Sequence, residues 1–281
     1  MKILLILLTL LTSVHAEGFS HFKKENLKQL VSGYSFTEGP TFDGKNIYFT
    51  APRDKKIVKW SIEKQKASTF YEGENSPGAL YFHNSFLFAT KNGIMKTPLN
   101  SAKLTQYVEK YNGKLFNNTN DLWASPKGFV YFTDPNYGRK PLKQEGEFAY
   151  YVNLKGEVKR INATFKRPNG IIGSKDGKKL FITDAGASKT YVFELDENGN
   201  PSEQVLFTDI GGDGMTLDSK GNLYIAVPRQ KSLVVINPQG KEIARIKDFG
   251  CTNVCFGGKD MKTLFITSGG LHSIQMPFKG Q

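Results

Sequence analysis

The sequence predicts an all-β protein: a six-bladed β-propeller with four-stranded blades around a central channel. Three observations carry that expectation. Aromatic and β-branched residues come in short runs, not in long helical stretches. One motif, an apolar pair followed by a small or Thr-containing exit, recurs six times. Its copies lie about forty residues apart, the period of a propeller blade.

The first residues stand outside that fold. Met1-Lys2 is a short basic start, Ile3 to Leu11 is an almost wholly apolar run, and Val14-His15-Ala16 offers small or apolar residues at the ends of a cleavage site. The run is too short to span a bilayer comfortably. Residues 1–16 therefore read as a signal peptide, cut after Ala16. The protein is expected to be exported, periplasmic or secreted, with no membrane span once the signal is gone. Residues 17–27 read as a polar leader and residues 28–281 as one propeller domain.

The six copies are Tyr48-Phe49-Thr50, Leu87-Phe88-Ala89-Thr90, Tyr131-Phe132-Thr133-Asp134, Phe181-Ile182-Thr183-Asp184, Tyr224-Ile225-Ala226 and Phe265-Ile266-Thr267. Their first members are 39, 44, 50, 43 and 41 residues apart. Tight-turn sequences precede them, such as Asp43-Gly44-Lys45-Asn46 and Ser219-Lys220-Gly221-Asn222. A further strand usually follows, as in Leu233-Val234-Val235-Ile236. The stretch from Gln29 to Phe36 has no blade of its own. It is expected to supply the outer strand of the last blade and close the ring. The longest interval follows the third copy, and its polar excess runs from Asn136 to Glu147. A long loop on a rigid scaffold is often a binding loop, which makes Tyr137 and Arg139 candidate substrate contacts.

Counting back from each apolar pair reveals a second regularity. Ten to twelve residues earlier stand Glu38, Asn120, Asn169, Asp213 and Asn253, with Pro77-Gly78 in the second repeat. In a propeller the innermost strands line the channel, so these positions form a ring at one mouth. Any one of them alone reads better as a turn cap. Five together, two carboxylates and three amides without His or Cys, describe a hard-cation site. Calcium fits best, because it accepts neutral amide oxygens and irregular geometry; Zn²⁺, Mg²⁺ and Mn²⁺ are the alternatives.

The formal charge is +12, and loss of residues 1–16 removes one Lys and no acid. The lysines are spread along the chain with no run of five, which describes a solvated surface and no nucleic-acid partner. Cys251 and Cys255 are four apart, roughly 13 Å in an extended strand, too far for a disulfide. Two buried thiols are expected. No Gly-x-Ser-x-Gly elbow is present, and the few His residues lie in the leader or near hairpins.

At these residues the chain resembles the gluconolactonase and senescence-marker-protein (regucalcin-like) family of six-bladed propellers. The resemblance covers roughly residues 30 to 275. It rests on EGP at 38–40, NDLWASPKGFVYFTDPNYG at 120–138, RPNGIIGSKDGKKLFITD at 167–184, DGMTLDSKGNLYIA at 213–226 and TNVCFGGKDMKTLFIT at 252–267. It implies one divalent cation held by Glu38, Asn169 and Asp213, with Asn120 as a further ligand or substrate contact. It also implies hydrolysis of a lactone, often a sugar lactone, with Asp213 as the catalytic base. Asn253, Tyr137 and Arg139 complete the substrate-binding candidates. The chain departs from the pattern at Leu115, near which bacterial members commonly carry a basic residue. Two other readings stay open: an exported propeller that binds a glycan or protein around a structural metal, and an organophosphate or ester hydrolase with the same site.

Overall fold

The computed structural model of the chain describes residues 18–73, 76–99, 101, 103–137 and 141–281. The expected signal peptide and Arg139 lie outside the described residues. In every repeat the apolar pair falls on the second strand of a four-stranded antiparallel sheet. These strands are Asn46–Ala51, Ser85–Thr90, Val130–Asp134, Lys179–Asp184, Leu223–Val227 and Thr263–Thr267. Six such sheets form a six-bladed propeller. In blade one the inner strand Glu38–Phe42 is followed outward by Asn46–Ala51, Lys56–Ser61 and Lys66–Glu72.

The second strands are buried on both faces, because each blade stands between two others. Phe86 and Phe88 of blade two pack with Tyr48 and Ile57 of blade one. Leu87 and Ala89, on the opposite face of the same strand, pack with Leu122 and Phe132 of blade three. Two-sided burial is why these strands read as unbroken apolar runs and not as alternation. Each such side chain contributes roughly 1.5–3 kcal/mol on burial, and this packing joins blade to blade.

The last blade contains Asn253–Gly257, Thr263–Thr267 and Leu271–Gln275, and its outer strand is Lys28–Val31. The ring closes as expected, with a shorter strand than Gln29 to Phe36. Pairing ends at Val31, where Gly270 lies so close that a Cβ on it would stand 2.0 Å from the Val31 carbonyl oxygen. The chain then runs to the mouth and is tied back at Thr37. Its hydroxyl donates to the Gly270 carbonyl at 2.7 Å and accepts the Gly270 N–H at 3.1 Å.

The segment expected as a polar leader is anchored. Phe19 and Phe22 are buried, each with its ring centroid 6.3 Å from that of Tyr224. The carboxy-terminal residues cross the far face. Ser219 N–H donates to the Lys279 carbonyl at 2.7 Å, and Gln281 Nε2 donates to the Gly173 carbonyl of blade four at 2.6 Å. Cys251 and Cys255 are both free thiols, Cys251 buried and Cys255 partly so. Among the described residues no helix is long and apolar enough to cross a membrane.

Candidate functional site

Each ring residue stands at or just before the start of an inner strand. Glu38 and Asn253 open theirs, Asn169 is second in Pro168–Gly173, and Asn120 and Asp213 lie two residues before Leu122–Ala124 and Met215–Leu217. The residue after Glu38, Asn169 and Asp213 is Gly for a packing reason. A Cβ on Gly170 would lie 2.2 Å from the Asp213 carbonyl oxygen of the next blade. A Cβ on Gly214 would lie 1.8 Å from the Asn253 side chain. The glycines let each inner strand nest against its neighbour, which draws the ring tight. Blade three carries Asp121 at this place instead.

Threonines at the strand exits position the ring. Thr133 Oγ1 donates to the Asn169 carbonyl at 2.6 Å, and Thr183 Oγ1 donates to the Asp213 carbonyl at 3.2 Å. In each case the exit of one blade holds the ring residue of the next. The aspartates that follow hold the approach segments. Asp134 accepts the N–H groups of Asn117 and Asn118, both at 2.8 Å, and Asp184 those of Lys166 and Arg167 at 2.8 and 2.9 Å.

Glu38, Asn120, Asn169, Asp213 and Tyr137 line one cavity of about 550 Å³ at the mouth. Asn169 is its hub. Its Oδ1 accepts from Asn120 Nδ2 at 2.6 Å and its Nδ2 donates to the Tyr137 hydroxyl at 2.5 Å. Tyr137 comes from the long blade-three loop. Its ring carries the Arg167 guanidinium 5.3 Å from the centroid. Arg167 Nε in turn stands 3.5 Å from Glu147 Oε2.

Asn253 is placed differently from the other four. It does not line the mouth cavity but a second one, about 450 Å³, toward the far face. Its Nδ2 donates to Asp121 Oδ2 at 3.3 Å, and its amide near Glu38 opposes the rise in that carboxyl's proton affinity. Its position suits holding carboxylates from beneath, away from the open mouth. Leu115 lies in a hairpin of Lys110–Tyr111 and Lys114–Leu115 and is not part of the cavity lining.

Asp121 is the residue that sequence reasoning missed. It makes a third carboxylate beside Glu38 and Asp213, and the three act on one another. Burial, then the charges of Asp213 and Asp121, raise Glu38 well above the ordinary glutamate value. Burial, then Asp121, pushes Asp213 up to about 7. Burial pushes Asp121 up to about 6. No Lys or Arg among the described residues forms an ion pair with any of them. Buried like charges without a counter-charge are costly, and a divalent cation relieves that cost. Among the described residues no three of His, Cys, Asp and Glu close on one point, so the amides must complete any such site. A mixed set of carboxylate and amide oxygens suits a hard cation.

Comparison with known proteins accords with this geometry. The SMP-30/Gluconolactonase/LRE-like region matches residues 36–270. The gluconolactonase of Zymomonas mobilis is 28% identical over 86% of this chain and 78% of its own length. Lactonase drp35 of Staphylococcus aureus is 26% identical over 84% and 74%. Among solved structures, a gluconolactonase of Xanthomonas campestris superposes with a TM-score of 0.81 at 20% identity, covering 89% of each chain. A calcium-binding regucalcin of Agrobacterium tumefaciens gives 0.77 at 20% identity over 88% of this chain and 92% of its own. These structures share the fold. With the family region spanning every blade and each ring position, the chain belongs to the SMP-30/gluconolactonase/LRE-like family.

Proposed function

We propose that the protein hydrolyses a lactone at this mouth with one divalent cation, Ca²⁺ before Zn²⁺, Mg²⁺ or Mn²⁺. Glu38, Asn169 and Asp213 would hold the cation, with Asn120 beside them. The observation that carries the reading is Glu38 and Asp213, carboxylates with no Lys or Arg partner among the described residues, beside amides in one open cavity. The lactonase relatives support the substrate class.

When bound, the cation would polarise the lactone carbonyl and acidify water. The chain's own groups do the rest. Asp213 is partly exposed to the mouth while Glu38 is buried, so a carboxylate oxygen of Asp213 can take the proton of the attacking water. Burial and the Asp213 charge hold the Tyr137 hydroxyl protonated, well above the usual tyrosine value. Since Asn169 already donates to that oxygen, its O–H points elsewhere and can bond a substrate oxygen. Asn120, whose Nδ2 donates to Asn169 Oδ1, fixes the orientation of that ring amide.

The test is turnover of a panel of lactones, aryl esters and organophosphates, with and without chelator. Lactone opening should vanish on chelation and return with Ca²⁺. Turnover that ignores the chelator would remove the metal from the reading, and no lactone turnover would remove the reaction.

A second expected result needs no substrate. In the cation-free protein, Asp121 and Asp213 keep their protons to about pH 6 and 7, whereas an unfolded Asp releases its proton near 3.9, roughly. The folded state then binds more protons across that window, so its stability falls as pH rises from about 4 to 7. The thermal midpoint of chelated protein should drop between pH 5 and 8, roughly, and Ca²⁺ should flatten most of the slope. Asp134, pushed up to about 7 by burial away from the ring, leaves a residual slope. A chelated protein with a flat profile would contradict the charge cluster.

A further inference from the structure

Blades one and five share a device that no other blade repeats among the described residues. Each second strand ends in a short 3₁₀ turn, Pro52–Asp54 and Pro228–Gln230, followed by a left-handed Lys. The residue before the turn has φ −122°, ψ 80° at Ala51 and φ −123°, ψ 75° at Val227. The Lys has φ 52°, ψ 41° at position 55 and φ 45°, ψ 53° at position 231. Even the next contact matches: the carbonyls of Lys55 and Lys231 accept Gly73 N–H and Phe249 N–H, both at 2.8 Å. The sequences are Pro52-Arg53-Asp54-Lys55 and Pro228-Arg229-Gln230-Lys231. The same two blades supply the ring carboxylates Glu38 and Asp213.

The turns deliver Arg53 and Arg229 to the site from two sides. Arg53 lines the mouth cavity, and Arg229 lines an adjoining pocket of about 140 Å³. The two cavities meet at Tyr137, Asn169 and Asp213. Lys91 and Lys143 also line the mouth. The sequence holds six arginines, at 53, 139, 160, 167, 229 and 245. Of the five that are described, Arg160, Arg167 and Arg245 each have a carboxylate partner. Arg53 and Arg229 have none among the described residues, and Arg53 lies over the Phe36 ring at 5.3 Å. The acids on the walls of both cavities are the ring's own Glu38 and Asp213.

A solvated lysine surface explains scattered charge. It does not explain two arginines set by one repeated turn beside the ring and without an ion-pair partner among the described residues. Guanidinium groups match carboxylate and phosphate oxygens in planar, two-point contacts, and a cationic rim draws anions in from solution. We infer that the mouth selects a lactone that carries a second, anionic group, a carboxylate or a phosphate, gripped by Arg53 and Arg229 with Lys91 and Lys143 behind them. The inference rests on the lactonase reading for the bond broken, but the anion grip stands on the rim alone.

Two pairs of probes test it on the full calcium-loaded protein. D-glucono-1,4-lactone and D-glucaro-1,4-lactone share a ring and differ in a hydroxymethyl against a carboxylate. D-glucono-1,5-lactone and its 6-phosphate make the corresponding phosphate pair. Calorimetry reads binding and an initial-rate assay reads kcat/KM. The anionic member of at least one pair should win by about tenfold or more, as charged hydrogen bonds to an arginine provide. That preference should shrink with added salt and fall about tenfold in R53Q/R229Q. Both arginines are exposed, so that variant should fold; a Lys91→Gln, Lys143→Gln variant gives a second reading and should lose a smaller part of the preference. Which pair responds tells carboxylate from phosphate. Tighter binding of an anionic lactone without turnover upholds the rim and removes the lactonase reading. Turnover with equal affinity within both pairs, or no binding by any of the four, overturns the rim.

Discussion

Asp213→Asn should leave the protein close to inactive even at saturating cation, whereas Glu38→Gln should regain part of its rate as cation is raised. Both substitutions keep the shape of the side chain and remove one charge. They differ in where the charge stands. Glu38 is buried, its Oε2 accepting the neighbouring Gly39 N–H at 3.1 Å. Its loss weakens the hold on the cation, a defect that mass action offsets. Asp213 opens on the mouth, on the wall shared by both cavities. Its loss also removes the proton acceptor, which typically costs about 10²–10⁴-fold in rate and is not restored by cation. The measurement is a cation titration of both variants on one lactone, with circular dichroism to check folding. Equal recovery of the two variants would leave Asp213 a ligand only.

Gly170→Ala should lower stability by about 2–3 kcal/mol through overpacking. The thermal midpoint should then fall by roughly 5–10 °C for a chain of this size. The new methyl would stand 2.2 Å from the Asp213 carbonyl oxygen, which is backbone and cannot swing aside. Gly170 does not occupy the left-handed region, so the cost isolates the close approach from backbone strain. Because the atom displaced belongs to Asp213, cation affinity should fall with stability. Gly250→Ala is the control: a Cβ there meets nothing within 4 Å, and Gly250 also has an ordinary φ. A Gly170→Ala midpoint indistinguishable from that of the control would show that the blades can separate without cost.

The architecture was legible because a blade imposes its period on the chain. Two-sided burial keeps each second strand apolar, and so Tyr48-Phe49 and Phe265-Ile266 announce the same place in two blades. The ring was legible for the same reason, since equal offsets from those pairs fall on equivalent strand starts. An offset along the chain does not give depth along the channel, however. Asn253 satisfies the count yet lies below the mouth, bonded to Asp121. Asp121 itself was hidden by a count that takes one residue per blade, in a blade that puts a carboxylate where Glu38, Asn169 and Asp213 are followed by Gly. The exits Thr133 and Thr183 were visible as a motif, but their hydroxyls act across blades, on Asn169 and Asp213, which no local pattern encodes. Phe19 and Phe22 had no periodicity to betray them, being two aromatics in a polar stretch. The Pro-Arg turns of blades one and five were on the page as sequence, but only their matching backbone and shared cavity wall give them a meaning.

The pairing of Lys28–Val31 with Leu271–Gln275 has a kinetic consequence. The two partners lie at opposite ends of the chain, so their contact has the longest sequence separation in the ring and carries the heaviest loop-closure entropy. Intermediate blades can pair their own strands as soon as each hairpin exists. The sixth sheet must wait for a strand made almost at the start. Glu38 follows that strand by a few residues, and its companions Asp213 and Asn253 lie near the far end of the chain. Glu38 of blade one meets Asp213 of blade five across this closure, so the ring of charge is expected to come together only as the propeller closes.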